Sequence, residues 1–371
     1  MRNTENIAIT RAKKLSYILD EIGKIFSSFG YSEVFLPLYE QYDVLKETVK
    51  DFRDENIIRF IDRNSGKSFV LRPDFTPQIC RTVSSYMVDS PLPLRLSYKG
   101  RIFRNVGIDK GIKSEKYQLG LELVGTDSFY GDLEIIQLAS SVMDGLSIKD
   151  YRIIIGDKSF LNLIFDKLKD QKDSYKKALI DKNFGMIHDL VNKLDYDLNF
   201  KELLRFLPRA FGGPEILERL RSMVAFDNRL LSKINCLIDL MDKIDEVCSN
   251  KDKIVFDAGE SRGLDYYTGL NYDIVSTKNG NVFGGGGRYD NLMKVFGYEA
   301  TACGLAFNIE EFMGCVRKEH TNYTFDYLVV GWEKYLEANK LREKGFKVFW
   351  VENPENKEDL IKFYSFNNIV E

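Results

Sequence analysis

Apolar residues recur at Leu15, Ile18, Leu19, Ile22, Ile25 and Phe26, the spacing of one helical face, and Gly30 ends the run. This predicts a helix over residues 12–29, then a strand over 32–36 stopped by Pro37. Residues 57–61 and 68–71 flank Asn64-Ser65-Gly66 and read as a hairpin. Asp74 or Thr76 is placed to cap a following helix, with Pro77 in its first turn. Strands are expected over 94–103 and 117–124, a helix over 132–143 and a strand over 151–155. From about 158 to 247 strand signals vanish and helical spacing takes over, as in Leu230, Ile234, Leu237 and Leu240. Gly212-Gly213-Pro214 interrupts this helical insertion.

Strands return at 254–256 and continue through residues 259–292. Tyr272, Ile274 and Ser276 alternate with other residues, and Asn279-Gly280 supplies a hairpin turn because both tolerate positive φ. Gly284 to Gly287 read as a bend, a place for close backbone approach and a candidate moving part. A strand over 301–307 leads to a helix from Ile309, and residues 326–371 read as strand, helix, strand, helix. Hairpin-linked strands among helices indicate an α+β protein with a mostly antiparallel sheet.

Composition narrows the classes. A chain of 371 residues, 44% hydrophobic and 29% charged, is globular and long enough for two domains or one with an insertion. The net charge is −3 with no basic run, so nothing points to nucleic acid. The first ten residues lack the apolar core of a signal peptide, and no apolar run reaches the roughly 18 residues of a membrane span, so a cytoplasmic protein is expected. Five cysteines without C-x-x-C spacing and two histidines argue against a disulfide framework or a zinc site; no metal or cofactor is expected.

Polar residues at strand ends supply candidate chemistry. Taken singly, Glu122 between two leucines and Arg104 after Phe103 are solvent-face charges, Asp74 is a helix cap, and Arg288 pairs with Asp290. Taken together, Asp74, Thr76, Arg104, Gln118, Glu122, Arg262, Tyr266 and Tyr267 suit a free amino acid. A carboxylate would meet its ammonium, an arginine its carboxylate, and an acid with a tyrosine hydroxyl the two nitrogens of an imidazole.

Five segments carry a resemblance: PLYE (37–40), LRPDFTPQ (71–78), YQLGLELVG (117–125), RGLDYYTG (262–269) and GGGRYDNL (285–292). In this order, across roughly residues 10 to 315, they resemble the histidyl-tRNA synthetase family. The resemblance implies a class II synthetase core, a six-stranded antiparallel sheet flanked by helices, over residues 1–320 with its insertion at about 158–248. It also implies a small C-terminal segment at 324–371 and a dimer formed through the first helix and the strand before Pro37. By the same resemblance Asp74, Thr76 and Gln118 face the α-amino group of histidine, Glu122 and Tyr267 its imidazole, and Arg262 its carboxylate. Asp74 stands where synthetases usually carry glutamate, which shortens its reach.

The departures concern ATP. The synthetase pattern Phe-Arg-x-Glu reads Phe103-Arg104-Asn105-Val106; the phosphate loop reads Lys110-Gly111-Ile112-Lys113-Ser114-Glu115; Gly-Leu-Glu-Arg reads Asn308-Ile309-Glu310-Glu311. Each lost donor typically costs about 10²–10³ in rate, so adenylation is not expected. Residues 326–371 are also short of an anticodon-binding domain of about 100 residues. A core that keeps the histidine residues and loses those for ATP resembles the regulatory subunits of ATP phosphoribosyltransferase, which also favour LRPDFTPQ over LRPEGT. That resemblance implies a non-catalytic subunit needed by a short-form catalytic partner in the first step of histidine biosynthesis. It further implies feedback inhibition by L-histidine and a hetero-octamer of four chains of each kind. A divergent histidyl-tRNA synthetase and a paralogue serving another partner are the alternatives.

Overall fold

The computed structural model describes residues 9–46, 56–105, 114–260, 266–316 and 324–371. Arg262, Val106 and the loop containing Ile112 lie outside them. The chain divides into two compact units, Met1–Asn6 with Ile18–Cys315, and Ile7–Tyr17 with Val316–Glu371.

The strands of the larger unit are β1 (Ser32–Glu33), β2 (Tyr39–Gln41), β3 (Arg59–Ile61), β4 (Ser68–Leu71), β5 (Leu94–Phe103), β6 (Glu115–Val124), β7 (Tyr151–Asp157), β8 (Phe211–Gly212), β9 (Ile254–Asp257), β10 (Leu270–Ser276), β11 (Val282–Arg288) and β12 (Ala302–Asn308). Nine form the main sheet in the order β1-β5-β6-β12-β11-β10-β7-β9-β8. Its inner pairs, from β5 across to β7, are antiparallel. β1 joins β5, and β9 joins β7, in parallel. The expected six-stranded, mostly antiparallel sheet is therefore corrected to nine strands of mixed direction. The difference lies at the margins, where β1, β9 and β8 extend the six inner strands; the strand expected over 32–36 is only Ser32–Glu33, and β8, also two residues, is too short to show alternation. β2, β4 and β3 make a separate antiparallel sheet, in which Gly66 takes φ +69° at the hairpin turn.

Apolar stripes fix the helices to the sheet. The first helix, Ile9–Ser28, buries Ile18, Ile22 and Phe26 completely or nearly so. The helix Thr76–Tyr86 sets Ile79, Cys80 and Val83 against Leu96, Tyr98, Ile102 and Val124. The insertion runs from the helix Lys158–Phe165 to the helix Asn228–Val247; Asp157, Asn183, Asp197 and Asp227 cap four of its helices through backbone N–H groups. Gly213 ends the interruption, and Pro214 opens the next helix.

The glycine run is a further correction. Gly284 to Gly287 are not a bend: they lie inside β11, paired to β10 on one side and β12 on the other. A Cβ on Gly286 would stand 2.0 Å from the Gly304 carbonyl oxygen, so tight sheet packing explains the glycine there.

In the smaller unit β13 (Thr324–Val330), β14 (Val348–Val351) and β15 (Ser365–Val370) form a parallel sheet in the order β14-β13-β15. The expected strand-helix-strand-helix thus continues into a third strand.

Candidate functional site

Strand alternation and register build a hollow in the main sheet. On β6, Gln118, Gly120 and Glu122 share one face. Across the sheet Tyr98, Gly120, Ala306, Gly285 and Asp273 form one row of paired residues. Leu96, Glu122, Gly304, Gly287 and Asn271 form the next. The centre of both rows has almost no side chains, so the sheet supplies a floor of bare backbone. Asp74 and Thr76, at the start of their helix, and Tyr266, Tyr267 and Tyr289 wall the resulting cavity of about 190 Å³.

Seven of the eight candidate residues line this cavity: Asp74, Thr76, Arg104, Gln118, Glu122, Tyr266 and Tyr267. Arg262 lies outside the described residues. Glu122 is 1% exposed. It accepts hydrogen bonds from the hydroxyls of Thr76 (2.8 Å), Tyr98 (3.3 Å) and Tyr289. Burial pushes its carboxyl up to about 8, opposed by the three hydroxyl bonds and reinforced by nearby Asp74. Burial, with Asp74 and Glu122 nearby, also raises the Tyr267 phenol above its ordinary value.

Asp74 both caps and faces the cavity. Its Oδ1 accepts the Thr76 N–H at 2.9 Å, while Oδ2 accepts the Tyr266 hydroxyl at 3.3 Å and lies 3.9 Å from Arg104 Nη2. Arg104 also donates through Nε to the Pro73 carbonyl at 3.0 Å. Gln118 donates weakly to Asn308 Oδ1 at 3.5 Å.

The sequence candidates did not include Tyr98, Lys116, Asp273 and Asn308, which also line the cavity, nor Tyr289 of the GGGRYDNL segment. The register of β5, β6, β10 and β12 reveals the first four, and no local pattern does. Arg288 and Asp290 turn away from the cavity: Arg288 holds Asp132 at 2.8 Å and Asp290 at 3.1 Å, and Asp290 accepts the Ala302 N–H at 2.8 Å. Glu311 accepts from the Asn281 side chain at 2.7 Å, and Glu310 accepts the Tyr117 N–H; neither lines the cavity.

Among the described residues no group of three or more His, Cys, Asp or Glu is arranged for a metal, and no helix is long and apolar enough to cross a membrane.

Comparison with known proteins gives the class first. Residues 4–312 match the family described as Histidyl-tRNA synthetase. A Bacillus halodurans structure described as an ATP phosphoribosyltransferase regulatory subunit/histidyl-tRNA synthetase superposes with a TM-score of 0.85 at 22% identity, covering 100% of this chain and 97% of that one. Histidyl-tRNA synthetase from Nostoc sp. PCC 7120 gives 0.75 at 16% identity, covering 98% and 89%. The fold is that of histidyl-tRNA synthetase-like class II proteins. The ATP phosphoribosyltransferase regulatory subunit of Geobacter sulfurreducens is 32% identical over 91% of this chain and 79% of its own length. That of Geobacter metallireducens is 33% identical over 83% and 71%. The chain belongs to the ATP phosphoribosyltransferase regulatory subunits of the histidyl-tRNA synthetase-like family.

Proposed function

We propose that this regulatory subunit senses free L-histidine in the glycine-floored cavity and conveys it as feedback inhibition to a short-form catalytic subunit. The observation that carries the reading is a small, polar cavity lined by three acidic side chains, Asp74, Glu122 and Asp273, over a floor with almost no side chains. At about 190 Å³ it is smaller than the roughly 300–1,000 Å³ of sites for drug-sized ligands, which favours a single amino acid. In this reading Asp74, Thr76 and Gln118 take the α-ammonium, Glu122 and Tyr267 take the imidazole, and Arg262, with Arg104 near Asp74, takes the carboxylate.

The chain itself performs no adenylation in this proposal: Val106, Ile112 and Glu311 stand where a synthetase holds ATP. It works in the cytoplasm with residues 1–320 as core, pairs through its first helix, and joins the catalytic chain in a hetero-octamer. Feedback requires histidine to prefer one state of that assembly, a coupling typically worth about 1–3 kcal/mol.

Histidine at 100 times its Kd should stabilise the folded chain by about 2.7 kcal/mol, read as a thermal shift. No shift with well-folded protein would remove histidine from the cavity. Adding the chain to the catalytic subunit should raise phosphoribosyl transfer, and histidine should then lower it. Histidine-dependent ATP–pyrophosphate exchange by the chain alone would mark a divergent synthetase instead.

A further inference from the structure

The hydrogen-bond partners of Glu122 among the described residues are three hydroxyls and no cation. Oε1 accepts from Thr76 and Tyr98, and Oε2 accepts from Tyr289. A carboxylate has about four acceptor sites, so one remains, on Oε2. Gly304 keeps that side open: a Cβ there would stand 1.7 Å from Oε2. Among the described residues, the titratable groups that bear on Glu122 bring no positive charge. Asp74 adds a second carboxylate, while Cys80, Tyr98, Tyr266, Tyr267 and Tyr289 are all pushed by burial toward their neutral forms. The cavity's cations lie elsewhere on its lining, with Arg104 paired to Asp74. A carboxyl so placed stays protonated until a cation arrives.

We propose that Glu122 enters the binding equilibrium as a carboxylic acid and passes its proton to the ligand's ring nitrogen, so that the site selects ring basicity as well as ring shape. This rests on the histidine reading above. The Oε2–H bond breaks, an N–H bond forms on the neutral imidazole, and the complex holds carboxylate against imidazolium. The proton count is unchanged, so none passes to or from the buffer. Thr76, Tyr98 and Tyr289 keep their places and now stabilise the anion. A five-membered ring without a basic nitrogen leaves the proton on Glu122 and gains no ion pair.

The decisive measurement is the charge of bound histidine. With the full chain and ring-¹⁵N histidine at pH 7.5, both ring nitrogens should be protonated in the bound form, although the free ring is mostly neutral there. Calorimetry at the same pH in buffers of different ionisation enthalpy should show well under half a proton exchanged per histidine, since Glu122 is mostly protonated below its raised pKa of about 8. β-(2-Thienyl)alanine, similar in shape without the basic nitrogen, should bind about 10- to 100-fold more weakly, roughly the factor for losing one charge-assisted bond. Infrared spectra should show a carboxylic-acid band in the free protein, lost on adding histidine and absent from Glu122→Gln. A neutral bound ring, about one proton exchanged per histidine, or equal affinity for the thienyl analogue would overturn this inference and leave the histidine site standing. Absence of any bound signal would overturn both.

Discussion

Arg288 and Tyr289 are neighbours in the chain and end in opposite electrostatic settings. Arg288 is 4% exposed, and its charge is answered by Asp132, Asp290 and the Ser128 carbonyl. Tyr289 reaches to the other side, to Glu122, a carboxyl group also buried and answered, among the described residues, by hydroxyls. One cluster is electrically closed and serves the fold. The other has an acceptor site left over and a carboxyl with no counter-cation among the described residues, and it opens on a cavity. Buried charge alone therefore does not mark a site; buried charge without its counter-charge does.

The largest effect should come from breaking the closed cluster. Arg288→Met leaves Asp132 and Asp290 unanswered and should cost about 3–5 kcal/mol in urea unfolding. A loss below about 1 kcal/mol would mean that Arg288 is not what holds them. Next, Gly304→Ala drives a methyl into Glu122 Oε2 and toward the Leu121 carbonyl. It should cost about 1–3 kcal/mol and abolish the histidine-induced thermal shift; a variant that still responds would place the ligand elsewhere.

The open cluster should also show itself in pH dependence. The folded-state pKa of Glu122 is raised from 4.5 to about 8, so its stabilising contribution is full below about 4.5 and is lost as pH rises to about 8. In that window the ligand-free protein should lose up to about 1.4 kcal/mol per pH unit from this group. Glu122→Gln should flatten the slope; an unchanged slope would assign it to other groups. The smallest effect is a control. Gly280 takes φ +73° at the β10–β11 turn with nothing near its missing Cβ. Gly280→Ala should therefore cost about 1 kcal/mol of backbone strain in the same unfolding measurement, with histidine binding unchanged.

What could be read from the chain follows the range of the forces involved. The 94–103 strand was legible to the residue because ten alternating positions declare it, and the Asn279-Gly280 turn because its chemistry is local. The edge strand β8 was not, since pairing rather than sequence makes a two-residue strand, and the strand expected over 32–36 shrinks to Ser32–Glu33 for the same reason. Gly284 to Gly287 misled for a related reason. Glycine permits a bend, but what demanded glycine here was close approach of the neighbouring strands, such as the carbonyls of Ala306 at Gly284, Gly304 at Gly286 and Leu270 at Gly287. Glu122 read alone as a solvent-face charge, and only its association with LRPDFTPQ and RGLDYYTG placed it in a pocket. Tyr98 and Asp273 join that pocket through register across the strands between them, a relation that the linear order does not display.

The parallel pairing of β7 with β9 has a consequence for the size of the protein. The chain leaves β7 after Asp157, adds the two-residue edge strand β8 on the way, and returns at Ile254 beside β7 in the same direction. Parallel neighbours need a crossover whatever its length. Polymer statistics make a long one cheap, since each doubling of a flexible connection adds only about 0.6 kcal/mol of closure entropy. Here the connection also folds on itself, burying Leu217, Leu220, Leu230 and Ile234. This step of the sheet is thus the place where a long insert costs least, because a crossover is required there whatever its length.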